Sequence, residues 1–353
     1  MNYHLKPIDF RNYALILICA LFMMVVAALS MEIYFETIES DLTRVGYFSE
    51  RDFGWQAPQL AIPGALIGDY PFNEADVLVI GDSFSNFRIW QSQLIRNGLK
   101  VHTLHWADLN NGFLPKNLGQ GLRSAGFKGR YVVIETVERA LFPRANILSP
   151  EQYQFAQKYP VTLNTPLPNI GKYDLISRNK FSFKNLNGLD WNIKTLINRI
   201  KLFWKLPKTL ISGTTVLVDL EQQGCKVFTS HLCQYGLFFA EDFIKETFNF
   251  MDNIVYLDKG LKEQNIQPIW VVIPDKSTIY LGYGKLNIHP YQNPWHLFAQ
   301  YPDIIAPNLA EAFIKKSQEV KDLYLPSNTH FGSIGYLYLG DIILNEIHKA
   351  QSK

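Results

Sequence analysis

The feature that most constrains the fold is a short apolar run that ends in a polar turn. Val77-Leu78-Val79-Ile80 is followed directly by Gly81-Asp82-Ser83. Four consecutive apolar residues, three of them β-branched, predict a strand that is buried on both faces. The stretch from Phe87 to Ile95 predicts a helix after it. Ser83 is therefore expected at the carboxyl end of a central strand, either as a helix N-cap or as an exposed nucleophile backed by helix N–H groups.

The same alternation continues along the chain and predicts an α/β fold. Further strands are expected over Val101–Leu104, Tyr131–Glu135 and Pro268–Ile273. Helices are expected over Leu118–Ala125, Phe243–Leu261, Asn308–Val320 and Ser333–Ala350. Strands that alternate with helices at this spacing favour a three-layer α/β/α, flavodoxin-like domain with a central parallel sheet. We expect this domain to occupy residues 75–353.

An apolar segment near the N-terminus predicts a membrane anchor. Tyr13 to Met31 is apolar apart from Ser30. As a helix, this run is about 28 Å long, close to the thickness of a bilayer core. Lys6 and Arg11 precede it, and positive flanks stay in the cytoplasm. We therefore expect a cytoplasmic tail at 1–11, a transmembrane signal anchor at 12–34 and a periplasmic domain, in a single-pass protein of a bacterial inner membrane.

A cleaved signal peptide is the alternative, with Ala28-Leu29-Ser30 as a loose cleavage site. The apolar run is longer than the usual signal-peptide core of about 7–15 residues, which favours the uncleaved anchor. Cys225 and Cys233 fit an oxidising compartment, where they either form a disulfide or remain free buried thiols.

Composition excludes several classes of function. The formal net charge is +2, so no basic excess points to a nucleic-acid partner. The histidines and cysteines do not cluster with the spacing of metal ligands, and no glycine-rich loop cradles a phosphate. The sequence therefore predicts no metal site and no cofactor.

Two regions interrupt the α/β pattern. Residues 35–74 form a linker and lead-in, and Glu50 to Asn73 is expected to be extended because it is rich in proline and glycine. Residues 143–240 are expected to be an insertion that covers or shapes the site. Within it, the strands of a hairpin are predicted over Thr214–Leu220 and Lys226–Thr229.

The insertion also contains a basic amphipathic helix, predicted from Trp191 to Trp204 by the spacing of its apolar residues. One interpretation places this helix on the bilayer or against a membrane partner. The other is an ordinary surface helix whose apolar stripe packs on the domain.

Four sequence blocks, taken together, resemble a known superfamily. Gly81-Asp82-Ser83 follows the first strand, and His330 lies just before the last helix. Two further blocks are Val132–Arg139, which contains Glu138-Arg139, and Val272–Tyr280, which contains Pro274-Asp275-Lys276. With Leu323–Phe331 around the histidine, this order resembles the SGNH/GDSL hydrolase superfamily, in particular its alginate O-acetyltransferase-like branch.

The resemblance implies catalytic roles. Ser83 matches the nucleophile and His330 the general base, but Asn328 occupies the place of the acid that orients the histidine. An amide can orient an imidazole, but it does not stabilise imidazolium as a carboxylate does. Three interpretations follow: Asn328 serves in a slower site, another acid such as Asp322 or Asp275 takes over, or the site is degenerate.

Other residues are candidates for the surroundings of the nucleophile. The oxyanion donors are expected to be the N–H of Ser83 and groups of Asn110, Asn111 and Gly112. Asp82, Glu138 and Arg139 are expected to build the rim of the site, the last two as an internal ion pair. Lys276 is expected either to meet an anionic polysaccharide or to be solvated.

The resemblance implies an O-acetyltransferase that moves an acetyl group through a serine acyl-enzyme to a hydroxyl of a cell-surface polysaccharide. A membrane-bound O-acyltransferase is the implied acetyl donor. An acetyl esterase of the same fold is one alternative. A catalytically degenerate polysaccharide-binding or scaffold subunit of an acetylation complex is the other.

Overall fold

Four parallel strands form the centre of the fold. The computed structural model describes residues 7–35, 40–109, 112–146, 148–149, 174–176, 188–204, 208–240, 250–286 and 291–352. The helices are α1 Pro7–Phe35, α2 Asp41–Gly46, α3 Glu50–Phe53, α4 Ser83–Asn86, α5 Gln91–Arg96, α6 Leu118–Ser124, α7 Glu138–Asn146, α8 Leu189–Phe203, α9 Glu221–Val227, α10 Met251–Lys262, α11 Lys276–Tyr280, α12 Pro294–Phe298, α13 Leu309–Ser317 and α14 Ser333–Gln351. The strands are β1 Gln59–Ala61, β2 Val77–Gly81, β3 Val101–His105, β4 Tyr131–Val137, β5 Asp174–Ile176, β6 Thr209–Ser212, β7 Thr215–Asp219, β8 Tyr235–Phe239 and β9 Gln267–Ile273.

The central sheet has the strand order β3-β2-β4-β9, and all three pairings are parallel. Val77 is level with Val101 on one side and with Tyr131 on the other. The predicted central parallel sheet is therefore confirmed. Because the strands share one direction, the carboxyl ends of β2, β4 and β9 meet at one edge, and the turn that carries Ser83 leaves the sheet there.

Both faces of β2 are buried. Leu78 and Ile80 enter a core cluster that also contains residues of α6, α7 and α10. Val77 and Val79 enter a second cluster with residues of α5, α13 and α14. This burial on two faces is the reason that the strand is apolar at every position instead of alternating.

The N-terminal helix α1 is apolar and almost entirely exposed. Its stretch from Phe10 to Phe35 has a mean hydropathy of 2.8, and within it only Phe35, at the end of the helix, is buried in the protein. It is the one helix among the described residues that is long and apolar enough to cross a membrane.

The lead-in departs from the expected extended conformation. Leu42, Phe48 and Phe53 lie in and around α2 and α3 and are fully buried against Leu217 of β7 and Leu237 of β8. The prediction of an extended chain from Glu50 is therefore wrong over α3, because these apolar side chains build a small core of their own.

The insertion contributes a separate antiparallel sheet of order β6-β7-β8. The first strand of the predicted hairpin is present as β7, but Lys226–Thr229 is not its partner. The short helix α9 occupies Glu221–Val227, and a disulfide joins Cys225 to Cys233. The chain then turns into β8, whose Leu237 and Phe238 are fully buried, so burial selects β8 as the partner.

The helix predicted from Phe87 to Ile95 is also interrupted. Arg88 adopts a left-handed conformation with φ 57°, and its guanidinium lies 2.5 Å from Asp69 Oδ2. This residue separates α4 from α5, and the first helix therefore ends within about one turn of Ser83. Residues 243–249 of the predicted helix Phe243–Leu261 lie outside the described part of the chain, and α10 covers the rest.

Candidate active site

Ser83 and His330 meet at the carboxyl edge of the central sheet. Ser83 is the first residue of α4, directly after β2, and it is exposed. His330 lies in the loop before α14. Ser83 Oγ and His330 Nε2 are 2.8 Å apart, within hydrogen-bond distance. Residues 247 positions apart in the sequence thus form a serine–histidine contact of the kind that acyl transfer through a serine requires.

Asn328 sets the orientation and the tautomer of the histidine. Its Oδ1 accepts the backbone N–H of His330 at 3.0 Å, which assigns the amide with its oxygen toward the ring. The same oxygen lies 2.8 Å from His330 Nδ1. Because that oxygen is an acceptor, Nδ1 carries the proton and Nε2 is left with a lone pair for the Ser83 hydroxyl.

A carboxylate that sequence reasoning did not select stands beside the same nitrogen. Asp41 Oδ2, in the first turn of α2, lies 3.6 Å from His330 Nδ1. This distance is too long for a good hydrogen bond but is that of an ion pair once the imidazole is protonated. The site therefore has an acid, supplied by the segment that follows α1.

Asp41 is held in place by the histidine loop itself. Thr329 N–H donates to Asp41 Oδ1 at 2.9 Å, and the Thr329 hydroxyl donates to Oδ2. The N–H of Leu42 donates to Ser327 O at 3.1 Å. Burial alone would raise the pKa of Asp41, but His330 and the bonds from Thr329 outweigh it and lower the pKa below its ordinary value. Asp41 is therefore charged at neutral pH.

The two acids named from the sequence as substitutes have other partners. Asp322 accepts the backbone N–H of Thr229 at 2.9 Å and also binds its hydroxyl. Asp275 forms an ion pair with Arg139. The interpretation that one of them replaces the triad acid is therefore wrong. The carboxylate of Asp322 binds Thr229 and that of Asp275 binds Arg139, so neither is bonded to His330.

Asp82 ties the nucleophile turn to the next strand. One of its carboxylate oxygens accepts Phe84 N–H at 3.0 Å and caps α4. The other accepts Val137 N–H at 2.9 Å and the guanidinium of Arg144 at 3.0 Å. This agrees with the structural role expected for Asp82, because its bonds fix the position of Ser83 relative to β4.

Glu135 lies beneath the same turn and is completely buried. Its Oε2 accepts Asp82 N–H at 2.9 Å and the Ser85 hydroxyl at 2.6 Å. Burial, together with the neighbouring Asp82 carboxylate, raises the pKa of Glu135 well above its ordinary value. Burial also disfavours the Asp82 anion, but Arg144 and the backbone N–H groups lower the pKa of Asp82. Of these two neighbouring carboxyl groups, Glu135 is therefore the one that keeps its proton to higher pH.

Glu138 and Arg139 lie at the rim, but each pairs with a residue other than the one predicted. Arg139 binds Asp275. Glu138 accepts Asp275 N–H at 2.8 Å, the Thr278 hydroxyl at 2.7 Å and Tyr291 OH at 2.6 Å. The expected ion pair between neighbours is replaced by bonds that join β4 and α7 to the end of β9. Burial, with Asp275 nearby, raises the pKa of Glu138 to about 8.

Lys276 is buried and holds the histidine loop. Only 3% of it is exposed, and its Nζ donates to the carbonyl oxygens of Leu325 at 2.9 Å, Pro326 at 2.7 Å and Asn328 at 3.3 Å. Both expectations for Lys276, solvation and contact with an anionic polymer, are therefore wrong. The three carbonyl oxygens at the base of the loop stabilise the positive charge of its ammonium group.

The predicted oxyanion loop is only partly described. Asn110 and Asn111 lie outside the described residues. Gly112 adopts φ 75°, and its N–H donates to Leu109 O at 3.1 Å within a turn. That donor is therefore engaged, and the expectation that Gly112 supplies it to an oxyanion is wrong. The N–H of Ser83, at the free N-terminal end of α4, keeps the position expected of such a donor.

No periodicity or motif marked Asp41 in the sequence. It stands among several acidic residues after the apolar run, none of which belongs to a recognisable motif. Its one local signal is its position after Ser40, at the start of a short helix that contains the buried Leu42. Its proximity to Thr329, 288 residues away, depends on the tertiary fold.

The chain matches no model of a known protein family, no curated protein and no solved structure. The geometry of the site and the resemblance of the four sequence blocks therefore carry the functional argument.

Proposed function

We propose that the chain is a membrane-anchored, extracytoplasmic O-acetyltransferase of the SGNH type, which moves an acetyl group through Ser83 to a hydroxyl of a cell-surface polysaccharide. The observation that carries the proposal is the chain of contacts from Ser83 Oγ to His330 Nε2, and from His330 Nδ1 to Asn328 and Asp41. The helices on both faces of the parallel sheet fit the three-layer arrangement of that superfamily.

The first half-reaction forms an acyl-enzyme. As Ser83 Oγ bonds to the acetyl carbonyl carbon, His330 Nε2 accepts the hydroxyl proton. The carbonyl π electrons move to oxygen, and the Ser83 N–H is positioned as one donor for that oxyanion. When the tetrahedral intermediate collapses, the bond to the leaving group breaks and His330 returns the proton to it.

The second half-reaction repeats these steps with a sugar hydroxyl. His330 accepts the proton of that hydroxyl while its oxygen attacks the acetyl–serine ester. Collapse breaks the bond to Ser83 Oγ, which takes the proton back from His330. In both steps the imidazole becomes positively charged, and the Asp41 carboxylate stands where it stabilises that charge.

The placement of the site fits a donor in the membrane. Asp41 follows α1 by only a few residues, so one side of the site is built from the segment next to the expected anchor. A membrane-bound O-acyltransferase is the donor that the resemblance suggests, and the basic N-terminal flank supports a periplasmic location for the domain.

Acetyl ester hydrolysis is a second candidate, since the exposure of Ser83 gives water access to an acyl-enzyme. The same serine and histidine would serve both reactions. The 2.8 Å contact between them argues against a degenerate scaffold subunit.

The test uses the full chain in detergent, supplied with an activated aryl acetate. We expect release of the aryl alcohol and an acetyl adduct on the peptide that contains Ser83, detected by mass spectrometry. Ser83→Ala and His330→Ala should each reduce turnover by on the order of 10³-fold or more, because neither half of the pair works alone. Oligosaccharide acceptors then separate transfer from hydrolysis.

The matched control is Ser124→Ala, which removes an exposed serine at the end of α6. It should leave turnover and adduct unchanged. A folded wild-type chain that shows neither turnover nor adduct would contradict the enzymatic proposal and favour the scaffold alternative.

A further inference from the structure

Helix α8 turns an apolar face away from the protein. The residues of its inward face are Trp191, Asn192, Thr195 and Asn198, three of them polar. The residues of its outward face are Leu189, Ile193, Leu196, Ile197, Ile200, Phe203 and Trp204, which are 40–81% exposed. A surface helix of a water-soluble domain has the opposite arrangement. The stripe predicted to pack either on the domain or on a membrane therefore does not pack on the domain.

Specific hydrogen bonds fix this orientation. Asn198 Nδ2 donates to Tyr47 O at 3.1 Å and to Ser212 Oγ at 2.8 Å. Trp191 Nε1 donates to Arg44 O at 3.0 Å. Rotation of α8 to bury its apolar stripe would break all of these bonds, and the buried donors would lose their partners.

One edge of α8, beside its outward face, packs against the end of α1. Asn192 Nδ2 donates to Glu32 Oε2 at 2.8 Å, and the Arg199 guanidinium lies 4.7 Å from the centre of the Tyr34 ring. Glu32 is the first charged residue after the apolar run of α1, so it marks the level at which that helix would leave a bilayer. The apolar face of α8 is thus placed at the level of a membrane surface.

The composition of α8 fits that location. Lys194 and Lys201 lie along the edge of the apolar face, and Phe203 and Trp204 stand exposed at its C-terminal end. Basic residues beside an apolar stripe, with large aromatic residues, are typical of helices that lie in the plane of a membrane.

We propose that α8 lies in the interface of the membrane that α1 crosses, with its apolar face among lipid headgroups and the adjoining acyl chains. The occupant of the face is lipid, because the face lies beside the edge of α8 that contacts the end of α1, and because Lys194 and Lys201 give it a basic edge. The proposal requires α1 to be a membrane span, but it is independent of the chemistry proposed for Ser83. It gives the domain a second point of attachment and one fixed orientation on the membrane.

The test measures the membrane depth of single labels on α8 in the full chain. In a Cys19→Ala background, Ile197→Cys and Ile200→Cys place an environment-sensitive fluorophore on the apolar face. Asp190→Cys places it on the charged edge, where the Asp190 side chain is 78% exposed. The Cys225–Cys233 disulfide is left oxidised and does not react. The labelled chains are reconstituted into nanodiscs of phosphatidylcholine with phosphatidylglycerol.

We expect the labels at positions 197 and 200 to shift to shorter emission wavelengths and to be quenched by lipids that carry a nitroxide. A nitroxide near the carboxyl end of the acyl chain should quench more than one near the terminal methyl, because an interfacial helix sits about 5–10 Å into the headgroup–acyl boundary. The label at position 190 should instead be quenched by iodide from the aqueous phase.

Two results would overturn the proposal. Equal quenching of positions 190, 197 and 200 by iodide would mean that the apolar face lies in water. Protection of positions 197 and 200 from both iodide and lipid nitroxides would mean that a protein surface covers the face.

Discussion

In the proposed mechanism, two residues at His330 share the two tasks of the acid in a catalytic triad. A triad carboxylate holds the imidazole in one tautomer and stabilises the imidazolium that forms in the reaction. Asn328 is positioned for the first task, because its oxygen accepts from Nδ1 and from the backbone. Asp41 is positioned for the second, because its carboxylate is charged and lies 3.6 Å from the same nitrogen. Asn328 is therefore compatible with a working site.

Exchanging the carboxylate of Asp41 and the amide of Asn328 tests whether these two residues have the separate roles proposed. Asp41→Asn should reduce kcat/KM for the aryl acetate by about tenfold to a hundredfold, since an ion pair at this distance is worth a few kcal/mol before solvent screening. Adding Asn328→Asp to that variant should restore most of the rate, because the carboxylate is returned to the imidazole from the other side. The measurement is kcat/KM for the four combinations.

Thr329→Val provides the matched control for a purely structural role of Asp41. It removes the hydroxyl bond to Asp41 and leaves the carboxylate and the backbone bond in place. We expect a smaller loss than for Asp41→Asn. If the double variant Asp41→Asn/Asn328→Asp were no faster than Asp41→Asn alone, the carboxylate would not act through the imidazole.

Sequence reasoning predicted the local part of this site and missed the non-local part. Ser83, His330 and Asn328 belong to short motifs next to a buried strand or a helix, so their placement follows from the order of elements. Asp41 reaches His330 only because α2 packs on β7 and β8 and then against the histidine loop. The spacing of residues in the sequence does not predict this packing, because the segments in contact lie far apart in the chain.

At the scale of elements, the histidine loop is held from two sides. The segment from Ser40 to Leu42 binds Ser327 and Thr329 from one side. Lys276, at the start of α11, binds three carbonyl oxygens from the other. The loop has little regular structure of its own, so these bonds set the position of His330.

Removal of the lysine should therefore loosen the loop. We expect Lys276→Met to lower the free energy of unfolding by about 2–4 kcal/mol, because buried carbonyl groups lose a charged donor. We also expect kcat to fall as His330 loses its fixed distance to Ser83. Denaturant unfolding and kinetics of the same preparation check both effects.

The exposed Lys285→Met is the control, and it should change neither quantity. A substrate-binding lysine would give a different result. Its loss would raise KM for an anionic acceptor while stability stayed constant, and that outcome would contradict the structural role of Lys276.

The elements that the sequence predicted best are those whose burial is uniform. β2, β4 and β9 lie within about two residues of their predicted ends, because four or more apolar residues in a row fit a strand covered on both faces. The prediction of the hairpin was wrong because the pattern of apolar residues alone does not determine which segment pairs with β7. The buried side chains of β8 decide that pairing, with the Cys225–Cys233 disulfide in the connection.

At the scale of the whole molecule, two buried carboxyl groups make stability depend on pH. Glu135 and Glu138 lie at the carboxyl end of β4, and the pKa of each is raised, mainly by burial. An unfolded chain ionises such groups near their ordinary value of 4.5, whereas the folded chain retains the protons to higher pH. Over that interval the folded state binds more protons, so the free energy of unfolding falls as pH rises.

Glu138 allows this dependence to be isolated. Its contribution is complete below about pH 4.5 and is lost as pH rises toward about 8, with a total of at most about 5 kcal/mol. Glu138→Gln keeps the shape of the side chain without the ionisation, so its free energy of unfolding should fall less than that of the wild type between pH 5 and 8. The measurement is denaturant unfolding of the full chain in detergent at several pH values.

The free energy of unfolding of Glu138→Gln should still depend on pH, and the slope that remains can be interpreted. Glu135 acts in the same direction, so Glu138→Gln should be flatter than the wild type but not flat. The lowered pKa values of Asp41 and Asp82 act below about pH 4, outside the interval. Glu263→Gln, an exposed change on the surface, should run parallel to the wild type. Parallel curves for Glu138→Gln and the wild type would mean that Glu138 is already ionised in the folded protein, and that the rim of the site carries a second buried charge beside Asp275.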